Sequence, residues 1–156
     1  MESFSFEKHV WAEIDLDALR ANFAAVQRHA PGRPLCAVVK ADAYGHGAVQ
    51  CARALAQAGA AWLAVSCLAE AVQLRRAGLT LPILILGHVQ PSYASALIQH
   101  QLTAACYSSE QAAALSQAAQ AAGGRVQVHL KADTGMGRIG FALRTDFDAA
   151  IAAMVN

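Results

Sequence analysis

A lysine that ends an apolar run and precedes a glycine-containing turn is the first candidate for chemistry in this sequence. Lys40 closes the run at residues 35–40, and strand alternation would place it on the same face as Cys36 and Val38. At the carboxyl end of a buried strand, a lysine amine shielded from water is a nucleophile that forms Schiff bases. The alternative is that Lys40 extends along the surface and places its ammonium in water.

The turn after Lys40 contains residue types that suit a phosphate. Gly45 and Gly47 let the backbone approach a ligand closely, and the helix that starts after them offers N-terminal amides to an anion. The hydroxyl of Tyr44 can donate a hydrogen bond to the same phosphate. An ordinary tight turn needs the same glycines, so this pattern by itself leaves both interpretations open.

A second lysine, Lys131, ends another apolar run and is followed by three glycines within residues 135–140. Such a loop loses much conformational entropy on folding unless its backbone shape is needed. Arg138 lies within it and is suited to bind a carboxylate through two parallel hydrogen bonds. The alternative is a surface loop in which Arg138 pairs with Asp133 and contributes little to stability.

Five short apolar runs separated by helical segments must position these two lysines. Runs of this length between turn signals predict strands, and strands that alternate with helices predict a parallel sheet with helical crossovers. Two α/β architectures share this pattern, a doubly wound sheet and a (β/α)8 barrel of the TIM type, and composition does not separate them. The predicted strands occupy residues 35–40, 62–66, 82–87, 102–107 and 125–131.

The length of the chain limits how much of a barrel it can form. A (β/α)8 barrel needs about 200 residues or more, whereas this chain has 156. We therefore expect a partial barrel with about five of the eight strand–helix units. Residues 1–15 are expected to hold a leading strand that pairs with a segment outside the chain, and a helix predicted at residues 146–155 runs up to the last residue.

Short polar residues mark the predicted helix starts. Asp17 is predicted to cap the first helix, which presents Leu19, Phe23 and Val26 on one face. Glu70, early in its own helix, is assigned to the helix dipole. Similar capping pairs precede two later helices, Ser108 with Gln111 and Thr145 with Asp148.

The composition argues against several classes of protein. Twelve Lys+Arg against eleven Asp+Glu give a net charge of +1, which argues against nucleic-acid binders and binders of anionic membranes. No stretch reaches the roughly 18 to 20 apolar residues of a membrane span, and the N-terminus lacks a secretory pattern. The four cysteines have no zinc-ligand spacing, so we expect buried thiols, no metal and a cytoplasmic protein. Trp11 and Trp62 are expected to pack in the core.

Three segments together resemble the bacterial alanine racemase family. Residues 38–47 resemble that family's pyridoxal-phosphate attachment motif, and residues 131–141 resemble its second signature. Residues 11–19 are similar to its opening segment, in which a strand leads into the first helix. The matches occur in the family's order and cover nearly the whole chain. They therefore favour the functional interpretation of both lysines over the structural one.

The resemblance implies roles for four residues. Lys40 would hold pyridoxal phosphate and act as the base on one face of the substrate α-carbon, and Tyr44 would bind the cofactor phosphate. Arg138 would contact the substrate carboxylate and the phenolic oxygen of the cofactor. Lys131 resembles the lysine that is carbamylated in many members, where the resulting anion orients the arginine.

The family also implies features beyond this chain: a β-rich C-terminal domain, a homodimer, and a tyrosine from that domain of the partner subunit that serves the opposite face of the substrate. The family's reaction interconverts L-alanine and D-alanine and supplies D-alanine for peptidoglycan. We therefore expect residues 1–156 to be the N-terminal part of a racemase barrel and to be inactive by themselves.

Three other hypotheses remain open. One is a non-catalytic barrel that binds pyridoxal phosphate for cofactor homeostasis, and another is a racemase with a broader amino-acid range. A third treats the chain as an inert fragment whose open sheet edge promotes aggregation.

Overall fold

A computed structural model describes residues 10–142 and 144–155 of the chain. Five strands form one parallel sheet in which neighbours in space are also neighbours in sequence, from β1 at one edge to β5 at the other. Within the described ranges, no helix has the length and apolar character needed to cross a membrane. In chain order the elements are α1 (Leu16–His29), β1 (Cys36–Val38), α2 (Lys40–Tyr44), α3 (Ala48–Gln57), β2 (Trp62–Val65), α4 (Leu68–Arg76), β3 (Ile83–Ile85), a 3-10 turn (Pro91–Tyr93), α5 (Ala94–Gln99), β4 (Leu102–Cys106), α6 (Ser109–Ala121), β5 (Gln127–Leu130) and α7 (Arg144–Val155).

The strand order and the curvature of the sheet distinguish a barrel from a doubly wound sheet. A doubly wound sheet reverses its strand order at a switch point, whereas this sheet runs from β1 to β5 without reversal. The rings of Trp62 on β2 and His129 on β5 lie 5.0 Å apart. On a flat sheet, strands three steps apart would hold such side chains about 14 Å apart. The sheet is therefore curled into the wall of a partial barrel, as expected from the sequence.

Each strand alternates between a face covered by helices and an open, concave face. Right-handed crossovers place successive helices on the same side of a sheet whose strands follow in order. Leu63 and Ile85 point to the helical side and are fully buried. Cys36 and Val38 lie on the other face, where Val38 is 40% exposed. The apolar core thus lies between the sheet and its helices.

All five predicted strands are confirmed, each shorter than the apolar run that predicted it. The capping pattern of α6 is also confirmed, because the hydroxyl of Ser108 accepts the amide hydrogen of Gln111 at 3.1 Å. The side chain of Gln111 turns back to accept the amide hydrogen of Tyr107 at 3.1 Å. The start of α6 is thereby tied to the end of β4.

Two predicted helix starts are wrong. The carboxylate of Asp15, not that of Asp17, caps α1 by accepting the amide hydrogens of Asp17 and Ala18 at 2.8 and 3.0 Å. Phe23 is buried, but Val26, predicted to lie on the same face, is 54% exposed. Helix α7 begins at Arg144, so the predicted cap Thr145 lies inside its first turn.

Two packing expectations also need correction. Cys51 and Cys106 are buried as predicted, but Cys36 and Cys67 are exposed. Cys36 is exposed because it faces the open side of the sheet. Trp11 is 72% exposed and does not belong to the core.

Only residues 10–15 of the expected leading strand lie in the described part of the chain. Residues 10–15 form no strand, and residues 1–9 lie outside the described part of the chain. The partner expected for this segment is outside the chain, so the leading strand remains a prediction.

Alanine substitution of two adjacent residues on β3 tests the assignment of the two faces. We expect Ile85→Ala to lower the free energy of unfolding by about 2–5 kcal/mol, because it opens a cavity in the core; Ile85 is fully buried. Leu84→Ala is the matched control, since Leu84 lies on the concave face and is half-buried. It should lower the free energy of unfolding clearly less than Ile85→Ala does. Denaturant unfolding followed by circular dichroism measures both. Equal losses would contradict the assignment.

Candidate functional site

The carboxyl ends of the five strands bring a set of polar side chains to one edge of the sheet. Parallel strands end on the same side, which is where barrels carry their sites. Lys40, Ser66, His88, Tyr107 and Lys131 each follow one strand at this edge, in the order β1 to β5. Nδ1 of His88 lies 2.7 Å from the hydroxyl oxygen of Tyr107, so the middle of the edge is a hydrogen-bonded pair. The two predicted lysines occupy its two ends.

Lys40 begins a left-handed turn and is not the last residue of a strand. β1 ends at Val38, and the amide of Val39 still donates to the carbonyl of Ala64 at 2.8 Å. Residues 41–44 then have φ between 49° and 59°, although none of them is glycine. This conformation costs roughly 1–2 kcal/mol per residue, so the surrounding structure must hold it. The strand alternation predicted to include Lys40 therefore stops before it.

Asp42 holds the end of this turn. Its carboxylate accepts the amide hydrogen of Ala48 at 2.7 Å, and its carbonyl accepts that of Gly47 at 2.9 Å. These bonds join the turn to the first residue of α3. Tyr44 lies between Asp42 and Ala48 and is 60% exposed.

Glu70, assigned from the sequence to the helix dipole, holds the start of the same turn. One carboxylate oxygen accepts the amide hydrogen of Ala41 at 2.9 Å. The other accepts the amide hydrogen of Ser66 at 2.7 Å and its hydroxyl hydrogen at 2.8 Å. Glu70 therefore ties the residue after Lys40 to the end of β2. Sequence analysis missed this role, although Glu70 lies three residues after the N-cap Cys67, which is the position of the glutamate in a capping box.

The environment of Glu70 keeps its carboxylate ionised. Burial raises its pKa, but hydrogen bonds from Ser66 and from the amides of Ala41 and Cys67 lower it, and the net pKa lies below the ordinary 4.5. For a carboxylate with a lowered pKa, the stabilising contribution is present above the unfolded pKa and is lost as the pH falls through the folded pKa. The contacts of Glu70 therefore stabilise the chain at neutral pH and weaken below pH 4.5.

The loop at residues 131–141 is closed by backbone hydrogen bonds at its base. The amide of Phe141 donates to the carbonyl of Lys131 at 2.7 Å, and the amide of Asp133 donates to the carbonyl of Phe141 at 3.0 Å. Gly140 has a φ of 149°, and a Cβ there would lie 2.6 Å from the amide nitrogen of Asp133. Only glycine fits this close approach.

The carboxylate of Asp133 shapes the tip of this loop. It accepts the amide hydrogens of Gly135 and Gly137 at 2.9 and 3.1 Å. The bonds from Gly137 and Gly135, with a smaller contribution from the charge of Lys131, hold the pKa of Asp133 below its ordinary value. The predicted alternative, an ion pair between Asp133 and Arg138, does not form among the described residues, where one oxygen of this carboxylate accepts both loop amides.

Four predicted site residues present side chains without partners: Lys40, Tyr44, Lys131 and Arg138. In the part of the chain that the structure describes, none of these side chains makes a hydrogen bond or an ion pair, with one another or with other residues. The two lysines are half-buried, while the tyrosine and the arginine are exposed. Within the same described part, no cluster of three or more His, Cys, Asp or Glu could hold a metal ion. The site therefore offers an amine, a phenol and a guanidinium to small molecules.

The ordered parallel sheet, its curvature and the polar residues at its carboxyl edge define the chain as part of a (β/α)8 barrel. The chain belongs to the alanine racemase family: the family profile described as "Alanine racemase, N-terminal domain" matches residues 14–156. This confirms the resemblance that the two lysine segments indicated.

Relatives and solved structures agree with this assignment. An alanine racemase of Desulfovibrio desulfuricans is 50% identical over 137 residues, which cover 87% of this chain and 37% of that protein. A solved alanine racemase from Bacillus anthracis with bound L-Ala-P has a TM-score of 0.89 at 33% identity, covering 97% of this chain and 39% of that one. A histidine racemase from Leuconostoc mesenteroides subsp. sake has a TM-score of 0.84 at 33% identity, covering 88% and 37%. The chain thus spans little more than a third of the length of these proteins.

Two substitutions of Asp133 test how the loop around Arg138 is held. We expect Asp133→Ala to increase amide hydrogen exchange at Gly135 and Gly137 by about tenfold or more, because both amides lose their acceptor. Asp133→Asn keeps an acceptor oxygen and should change exchange much less. The amide of Gly123, which donates to the carbonyl of Gln120, is the internal control. Unchanged exchange at Gly135 and Gly137 in the alanine variant would contradict this account.

Proposed function

We propose that this chain forms the lysine-bearing part of an alanine racemase, which uses pyridoxal phosphate to interconvert L-alanine and D-alanine. The observation that carries the proposal is the amine of Lys40, which has no partner among the described residues and is fixed by a strained turn at the carboxyl edge of the barrel. Membership of the family and the unpartnered Arg138 at the other end of the edge support it. The physiological role proposed is the supply of D-alanine for peptidoglycan in the cytoplasm.

The residues present fit pyridoxal phosphate by their chemistry. Lys40 would hold the aldehyde carbon of the cofactor through its amine. Tyr44, which is 60% exposed, would donate a hydrogen bond from its hydroxyl to the phosphate. The cofactor, when bound, supplies an electron sink that makes the α-proton of an amino acid removable.

Two side chains of this chain would then act on the substrate, and a third would orient one of them. The amine of Lys40 would remove or return the α-proton on one face of the substrate. The guanidinium of Arg138 would bind the substrate carboxylate through two parallel hydrogen bonds and thereby fix which face Lys40 meets. Lys131 would orient Arg138 if its amine were converted to a carbamate, since an unmodified ammonium would repel the guanidinium.

Racemisation also needs a proton donor and acceptor on the opposite face of the substrate. The family resemblance assigns that role to a tyrosine of the C-terminal domain from a second subunit, so the proposed active form is a homodimer of a longer protein. The chain described here would hold the cofactor and one base, and by itself it would not racemise alanine.

A broader substrate range is the second candidate function. The similarity to a solved histidine racemase supports it, because a barrel of the same fold is named for a much larger amino acid. The residues proposed to act at the α-carbon and carboxylate would serve either substrate. The pocket for the substrate's side chain would decide between alanine and histidine, so the racemisation assay tests both amino acids.

Cofactor attachment is tested by trapping. We expect pyridoxal phosphate followed by borohydride reduction to label the chain at Lys40, as read by mass spectrometry of its peptides. The chain has three lysines, at positions 8, 40 and 131, so Lys8 and Lys131 are internal controls for non-specific reaction. The Lys40→Arg variant should lose the label. Equal labelling of all three lysines would contradict a built site, and labelling without racemisation in the assay below would favour the non-catalytic barrel.

The role of Arg138 is tested in a chimera in which this chain replaces the matching segment of the Desulfovibrio desulfuricans enzyme. We expect the chimera to racemise alanine, and Arg138→Ala to lower kcat/KM by about 10- to 100-fold, the loss of a hydrogen bond to a charged group. Arg125→Ala, at the opposite end of β5, is the matched control and should have little effect. Racemisation of histidine in preference to alanine would support the broader range, and equal effects of the two arginine variants would contradict the proposed role.

A further inference from the structure

We propose that Glu70 is a positioning residue for Lys40, which it fixes by holding the first amide of the left-handed turn. The inference rests on the proposed function, because it concerns the residue assigned to the cofactor. Glu70 touches neither Lys40's side chain nor any other predicted site residue by a hydrogen bond or ion pair in the described chain. Its effect on Lys40 would be transmitted through the backbone of Ala41.

The geometry makes the carboxylate of Glu70 a bridge between two strand ends. One oxygen binds the amide of Ala41 at 2.9 Å, and the other binds the amide and hydroxyl of Ser66 at 2.7 and 2.8 Å. Ser66 directly follows β2, and Ala41 directly follows Lys40 at the end of β1. A single half-buried side chain therefore fixes the separation of these two points on the rim.

The turn needs such a bridge because its own sequence does not favour its shape. Four consecutive residues without glycine have positive φ, from Ala41 to Tyr44. The carboxylate of Asp42 holds the exit of the turn, and the amide of Ala43 donates to the carbonyl of Val39 at 3.0 Å across its entrance. At the entrance, the acceptor for the amide of Ala41 is Glu70. Without it, this amide loses its partner and the turn can relax to ordinary backbone angles, which would redirect the Cα–Cβ bond of Lys40.

The three converging donors also explain why the residue is a glutamate. An ionised carboxylate only accepts hydrogen bonds, so both oxygens can face N–H and O–H groups. A glutamine at this position would bring an NH₂ group against at least one donor. An aspartate is one methylene shorter and would not span from α4 to both Ala41 and Ser66.

Glu70 also lies in the first turn of α4, so a purely structural role in starting that helix must be distinguished from a positioning role. Glu110 offers a matched control, because it lies in the first turn of α6, is exposed and contacts no residue of the turn. Ser66→Ala is a second control, since it removes one donor to Glu70 and leaves the bond to Ala41.

The experiment compares Glu70→Gln with Glu110→Gln in the full chain by two measurements. We expect Glu70→Gln to raise amide hydrogen exchange at Ala41 at least tenfold. It should also lower borohydride-trapped labelling of Lys40 by pyridoxal phosphate at least fivefold, with the labelling of Lys8 unchanged. Glu110→Gln and Ser66→Ala should change neither measurement by more than twofold. Adding Ala41→Gly to Glu70→Gln should restore part of the labelling, because glycine adopts positive φ without steric cost.

Normal labelling of Lys40 in a folded Glu70→Gln variant would overturn the proposal, as would an equal loss in Glu110→Gln. Failure of Ala41→Gly to restore any labelling would also count against transmission through the turn. If Glu70→Gln shows no cooperative unfolding transition, Glu70→Asp is judged by the same criteria. Absence of label in the wild-type chain would contradict the proposed function, whereas the exchange at Ala41 would still decide whether Glu70 holds the turn.

Discussion

The left-handed turn that follows the first strand is the constraint on which the candidate site depends. Four residues without glycine are held at positive φ, and of their side chains only that of Asp42 is of a type that favours this shape. The carboxylates at positions 42 and 70 hold it from the two ends by accepting amide hydrogens. The turn is therefore held by residues of the first two strand–helix units together and not by its own strand alone.

The loop that carries Arg138 is also held by a carboxylate that accepts backbone amides, but here glycines adopt the unusual backbone angles without steric cost. The carboxylate of Asp133 accepts the amide hydrogens of two of these glycines. The base is closed by backbone bonds between Lys131, Asp133 and Phe141. In both segments an aspartate oxygen accepts backbone amide hydrogens. Among the described residues, the side chains of Lys40 and Arg138 make no hydrogen bond or ion pair.

Sequence patterns predicted the sheet because short apolar runs bounded by turn residues are typical of buried strands. They also predicted Lys40, Tyr44, Lys131 and Arg138 as candidates, through segments specific enough to identify the family. They failed where a choice depended on contacts distant in sequence. The bond from Glu70 to Ala41 joins residues 29 positions apart, and no local pattern reports it.

Smaller failures had local causes. Asp15 and Asp17 both suit a helix cap, and only the backbone geometry selects the first. The exposure of Cys36 and Val38 follows from the concave face of the sheet, which apolar composition does not reveal. Positive φ at alanine, aspartate and tyrosine is likewise invisible to propensity, because those residues rarely adopt it. The strained segment was therefore predicted as a turn, without its handedness.

The order of strands in the sheet has a consequence for how such a chain assembles. Each strand pairs with the one made just before it, so the edge on which a new strand docks has always been synthesised already. Glu70 belongs to the second strand–helix unit and accepts the amide hydrogen of Ala41 after the first strand. The turn therefore has its acceptor as soon as two units exist, before the third strand is made.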